Sequence, residues 1–208
     1  MKKIALILLL SILTIPIMTG CGNEYNTSGV ESTNKQLVEN SDISQETSFE
    51  YNGTFNEIVF EQMCQNIKIE DVIISFPCTR NEFVSELSID GIPLVLENIV
   101  NYELLYNKEL IGSCSFKYTE EDNLDNSIMT GLSLDKNENS ATLISVGEIT
   151  FQYSKQQIIE LLGEPTNTEE YSSGSEKIDY FADNYRYMCF MFDVDDILTS
   201  IEFYDENI

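Results

Sequence analysis

The chain has 208 residues, of which 36 are Asp or Glu and 11 are Lys or Arg, for a formal net charge of -25. Its 42% hydrophobic content is enough for the core of one or two small domains. The acid excess argues against binding a nucleic-acid phosphate backbone, and the lack of His and Trp excludes Ser-His-Asp and Cys-His catalysis and His-ligated zinc or haem.

Lys2 and Lys3 precede an apolar run from Ile4 to Met18, broken only by Ser11, Thr14 and Pro16. The run is shorter than the roughly 20 apolar residues a spanning helix needs, so it reads as a secretory signal. It ends in Met18-Thr19-Gly20-Cys21, which resembles the lipobox of bacterial lipoproteins, with Met18 where that family usually has Leu. The resemblance implies cleavage after residue 20 and acylation of the Cys21 thiol, which becomes the mature N-terminus. Cys21 is then the lipid-attachment residue, and the membrane is a partner through that lipid. Cleavage removes two of the cations, Lys2 and Lys3, and no acid. An anionic membrane would push such a body away while the lipid holds it near.

Residues 21–50 are rich in Ser, Thr, Asn, Gln and Glu, with sparse apolar residues and no period. They read as a flexible acidic tether spanning roughly 30 Å. Thr54 to Glu57 has the spacing of a capping box, and Phe55, Ile58, Val59 and Met63 predict a helix over 54–65. A short strand is expected over 71–76. Thr79 to Glu82 is a second capping box, predicting a helix with Phe83, Val84 and Leu87 on one face that ends over 88–93. Strands follow over 102–106, 110–118 and 128–134. Cys114, Phe116 and Tyr118 share one face of the middle strand, and Ile128, Thr130, Leu132 and Leu134 one face of the last. The acidic stretch 119–126 reads as a loop and 135–140 as a connector.

The second half has the same order of elements. A strand over 149–153 leads into a capping box at Ser154 to Gln157, a helix with Ile158, Ile159, Leu161 and Leu162 on its apolar face, and a stop at Gly163 and Pro165. Strands are expected over 178–181, 185–193 and 198–204. The middle one is apolar on both faces and is expected to be central. Ile74 to Leu87 aligns with Ile149 to Leu162, setting Thr79 on Ser154 and Phe83 on Ile158, and the same offset sets Cys114 on Cys189. The pattern points to an α+β fold of two tandem repeats, 51–140 and 141–208, each a helix packed on a three- to four-stranded antiparallel sheet.

The segment from Ile149 to Pro165, a helix opening on Ser and closing on Gly-x-Pro, resembles a family of Firmicutes lipoproteins. The stretch Ser75-Phe-Pro-Cys78, with the helix expected after it, is similar to their first half. The same unit of a helix and a hairpin occurs in small outer-membrane assembly lipoproteins and, doubled, in the beta-lactamase-inhibitory-protein fold. The resemblance implies the tandem architecture and supplies no catalytic residue, because fold does not imply function.

Four cysteines follow Cys21: Cys64, Cys78, Cys114 and Cys189. An exported protein can form disulfides, here Cys64 with Cys78 or Cys114 with Cys189, or the four can be buried thiols. No CxxC spacing suggests a redox or zinc site. The acids at Asp193, Asp195 and Asp196, with Glu120, Glu121 and Asp122, form a cation-binding candidate, but the Gly and closing Glu of an EF-hand loop are missing. A solvated turn explains Asp193 to Asp196 equally well. Tyr102, Tyr106, Tyr118, Tyr171, Tyr180, Tyr185, Tyr187 and Tyr204 fall in or near expected strands, and an exposed subset would suit protein recognition. The expectation is a lipid-anchored binding or adaptor module on the outer face of the cell membrane. Its partner would be a protein or cell-wall component; no enzyme activity, cofactor, metal or nucleic acid is expected. The rival readings are a carboxylate-based hydrolase acting on the envelope and a structural surface protein.

Overall fold

The structure, a computed structural model, describes residues 53–96, 98–117, 124–138 and 140–207. The signal segment, Cys21, the tether, Tyr118 and the Glu120 to Asp122 acids lie outside them. The described chain carries two α-helices and twelve strands.

Helix α1 (Glu57–Cys64) opens two residues later than the capping-box spacing suggests. Its cap is Asn56, whose Oδ1 accepts from the N–H groups of Ile58 and Val59 at 3.0 and 3.1 Å. The short strands β1 (Ile67–Ile69) and β2 (Val72–Ile74) form a hairpin. They join β7 (Ile144–Val146) and β8 (Ile149–Thr150) in a small sheet of order β2-β1-β7-β8. The large sheet holds β3 (Leu87–Leu96), β4 (Ile99–Tyr106), β5 (Glu109–Lys117) and β6 (Met129–Asp135), followed in chain order by β9 (Asn167–Glu170), β10 (Glu176–Phe181), β11 (Arg186–Phe192) and β12 (Leu198–Asp205). Its order is β3-β4-β5-β6-β12-β11-β10-β9, antiparallel throughout.

This corrects the expected tandem α+β repeats. The protein is β-rich: β6 pairs with β12 and fuses both halves into one eight-stranded sheet, and the small sheet draws β1 and β2 from one half and β7 and β8 from the other. The helix expected after the Thr79 capping box is absent. Thr79 N–H and hydroxyl both donate to Glu82 Oε2, at 2.6 and 2.9 Å, but they close only a 3-10 turn over Arg80–Glu82. Phe83 is already extended. The cause lies in composition. After the turn come Phe83, Val84, Ser85, Ser88 and Ile89, weak helix formers that favour a strand, whereas α2 (Lys155–Leu162) reads Lys-Gln-Gln-Ile-Ile-Glu-Leu-Leu. Ser154 and Gln157 form the reciprocal cap of α2, and Gly163, at φ 86°, ends it by donating to Ile159 O at 2.8 Å.

One core fills the space between the inner face of the large sheet and the layer of helices and small sheet. Tyr102, Cys114, Leu132, Phe203, Met188 and Tyr180 stand opposite one another across six strands, and so share that inner face. Phe203 meets Phe76 at 5.7 Å between ring centroids. A bulge between Ser115 and Phe116 overturns part of the β6 reading. Met129 takes the core position opposite Phe116, and Ile128 is left exposed. Strand β11 lies inside the sheet, between β10 and β12, with Met188, Phe190 and Phe192 in the core.

Candidate functional site

Alternate residues of the large sheet point away from that core. The register aligns them in rows, because directly paired residues of antiparallel strands share a face. One row runs from Leu94 on β3 through Asn101, Ser115 and Gly131 to Tyr204, Tyr187 and Phe181 on β12, β11 and β10. Its aromatic end forms a ladder. Phe181 stacks on Tyr187 at 5.1 Å and 28°, and Tyr187 on Tyr204 at 4.8 Å and 20°. These separations match the spacing of adjacent strands, about 4.8 Å, so the backbone itself sets the stacking distance.

The ladder stops at Gly131. A Cβ built there would lie 3.5 Å from Tyr204 Cδ1 and 3.2 Å from Ser115 Oγ. A trough of about 520 Å³ lies over this part of the sheet, with the Tyr204 ring on one side, Asn101, Ser115 and Ile99 on the other, and Lys117, Asp205 and Glu206 around it; Gly131, at its floor, is buried. The polar groups of the far wall are engaged within the protein. The Ser115 hydroxyl donates to Asn101 Oδ1, and Asn101 Nδ2 donates to Leu94 O at 3.3 Å.

The neighbouring row crosses all eight strands: Asp90, Glu103, Ser113, Ser133, Glu202, Cys189, Asp179 and Asn167. Four of these residues are acids. Glu202 accepts from the Tyr204 hydroxyl at 2.9 Å, and burial with that neighbouring carboxylate pushes the Tyr204 phenol well above its ordinary range. Burial, with Cys189 beside it, pushes Tyr187 up to about 12. Asp179 is 3% exposed, pairs with Lys177 at 3.3 Å and accepts from Asn167 Nδ2 at 2.9 Å.

The other tyrosines singled out in the sequence go elsewhere. Tyr180 is buried, with its hydroxyl on Gly163 O, and Tyr106 is buried, with its hydroxyl on Glu70. Tyr102 packs on Phe116, Tyr171 donates to Glu169, and Tyr185 is exposed. Phe181, Gly131, Asn101 and Ser115 were not among the sequence candidates. A Gly inside an alternating strand is the one signal that marks such a close-approach position.

The acidic turn serves the backbone. Asp193 Oδ1 accepts from the N–H groups of Asp195 and Ile197, and Asp196 faces Lys155 at 3.4 Å. Among the described residues no group of three or more His, Cys, Asp or Glu could hold a metal ion. Glu82 and Asp183 are carboxylates held below their ordinary range, Glu82 by the Thr79 N–H and hydroxyl and Asp183 by the Tyr185 N–H and the Arg186 guanidinium.

Cys64, Cys78, Cys114 and Cys189 are free, buried thiols. Cys114 stands on the inner face of the large sheet and Cys189 on the outer, which excludes both the Cys114–Cys189 bridge and the equivalence the sequence offset suggests. Burial pushes the Cys78 and Cys114 thiols up to about 12 from an ordinary 9.0. Raised values mean that the folded state keeps its protons while the unfolded chain gives them up. The associated stability is therefore whole below about pH 9 and is lost as pH climbs towards about 12. Under reducing conditions the melting temperature should fall continuously over that window, followed by circular dichroism. A melting temperature that holds level through it would show that these thiols are not buried.

No family model, curated protein or solved structure matches the chain. Among the described residues no helix is long and apolar enough to cross a membrane.

Proposed function

We propose that the chain is an exported, lipid-anchored binding module that recognises a protein or cell-envelope component through the outer face of its eight-stranded sheet. The observation that carries this reading is the aromatic ladder ending at an open trough. Rings that could have joined the core are instead aligned on the opposite face, where Phe181 is exposed and Tyr187 and Tyr204 are half-buried. Surface aromatics of this kind are enriched where proteins recognise partners. The lipobox at Cys21 and the polar segment 21–50 support a placement in which the face is held a short distance from the membrane.

The test is photo-crosslinking in intact cells with the full chain, placing the crosslinker at Ile99, on the rim of the trough, or at Glu148, an exposed residue elsewhere. The expected result is a discrete adduct from Ile99 that Glu148 does not give and that Tyr187→Ser with Tyr204→Ser removes. The same adducts from both positions would reject the face, and cleavage of wall glycan by the purified protein would favour the hydrolase. For the anchor, Cys21→Ala should release the protein into the medium; a variant that stays with the membrane rejects lipid attachment.

A further inference from the structure

We infer that the trough over Gly131 is the seat for one aromatic side chain carried on a basic segment of a partner protein. This rests on the reading of the outer face as the binding surface, and it names what that surface takes.

The ladder sets the shape of the occupant. Phe181, Tyr187 and Tyr204 repeat at 5.1 and 4.8 Å, one ring per strand. The next position in the row is Gly131, which has no side chain, and the one after is Ser115. A planar group above Gly131 would stand one strand spacing, about 4.8 Å, from Tyr204, within the 4.5–7 Å range of favourable ring pairs. The side of the Tyr204 ring towards Gly131, away from Tyr187, is the surface such a group would stack on. The trough, at about 520 Å³, has room for a ring and the backbone on either side of it.

The hydrogen bonding of the walls distinguishes an aromatic side chain from a sugar. A sugar ring brings several hydroxyls, and buried polar groups left unmatched are costly. Here the Ser115 hydroxyl is spent on Asn101, the Asn101 amide on Leu94 O, and the Tyr204 hydroxyl on Glu202. Ile99 adds an apolar edge, 38% exposed. The seat beside Gly131 therefore offers a ring face and an apolar edge, with Asn98, Thr130 and Lys117 at the margin of the trough.

Charge sets the rest of the partner. Asp90, Glu103 and Glu202 run in the adjacent row and Glu206 stands at the trough, against Lys117 there; Asp179 in that row is buried and paired with Lys177. The whole chain carries -25. Cationic residues flanking the inserted ring are complementary to this field, and acidic ones are repelled.

The test uses the absence of Trp from this protein. The indole emission of a synthetic Lys-Lys-Trp-Lys-Lys peptide then reports on the peptide alone. It is titrated with the full chain in detergent micelles, with empty micelles as the blank. The expected result is a saturable blue shift, with the Glu-Glu-Trp-Glu-Glu peptide weaker by about tenfold or more and Lys-Lys-Ala-Lys-Lys a poor competitor. Gly131→Val fills the seat without changing charge and should weaken binding about tenfold, as should Tyr204→Leu, which removes the ring wall. Two variants are used so that one survives if the other does not fold, which circular dichroism decides.

Equal binding of the Trp and Ala peptides, or full binding by both folded variants, overturns the seat and leaves only attraction between opposite charges. Binding of soluble wall-glycan fragments in place of the peptide overturns it in favour of a sugar. In these cases an Ile99 adduct that persists in cells keeps the binding face standing while its occupant is revised. Loss of both the peptide signal and the adduct removes both readings.

Discussion

Gly112→Ala is expected to cost about 3–5 kcal/mol, a large part of the stability of a typical domain. Gly112 lies on β5 at φ 156°, a conformation that side chains rarely adopt. A Cβ there would run into the carbonyl oxygen of Ser133 on β6 and lie 2.8 Å from its carbon and 3.1 Å from Leu134 Cα. All three atoms belong to backbone, so no rotamer relieves the clash. Relief would require parting β5 from β6, next to the β6–β12 pairing that joins the two halves of the sheet. Urea unfolding followed by far-ultraviolet circular dichroism measures the loss. A change below about 1 kcal/mol would mean that β5 and β6 do not approach this closely.

The second large effect is at Phe203. Its side chain is 0% exposed, in the middle of the inner row, against Phe76 from the segment between β2 and β3. Phe203→Ala should cost about 3–5 kcal/mol through lost burial and the cavity left behind, and Phe203→Leu much less. The adjacent Tyr204→Ala should cost less than half as much as Phe203→Ala, because Tyr204 stands on the outer face and is only half-buried. A larger loss at Tyr204 than at Phe203 would mean that the two faces of β12 are assigned the wrong way round. The pair therefore tests the premise on which the binding face stands.

The elements themselves were legible where local signals agreed. For α2, the Ser154 cap, strong helix formers and the Gly163 stop all act within one segment. The alternation in β5 likewise marked a strand with two unlike faces, and the unbroken apolar run of β11 a strand inside the sheet. The capping box at Thr79 misled because it decides only the first turn, and the residues after that turn decide whether it becomes a helix. The polar strand β9 carries no apolar signal at all: all four of its residues are exposed, and it is held by pairing with β10. The β6 face shifted by one residue because a bulge is a property of the strand pair.

The sequence by itself determined the charge and which residues alternate on most of the strands, and the proposal of export and a lipid anchor at Cys21 rests on it alone. It placed Tyr187 and Tyr204 in strands without saying that they touch. Only the tertiary structure decided that β6 lies beside β12, and with it that Gly131, Tyr204, Tyr187 and Phe181 stand in one row. The reason is physical. Alternation along a strand reports which face a residue occupies, but the register between strands is set by pairing across long stretches of chain and by bulges that shift it by one residue. A ladder of rings beside an empty glycine position is made entirely of such register.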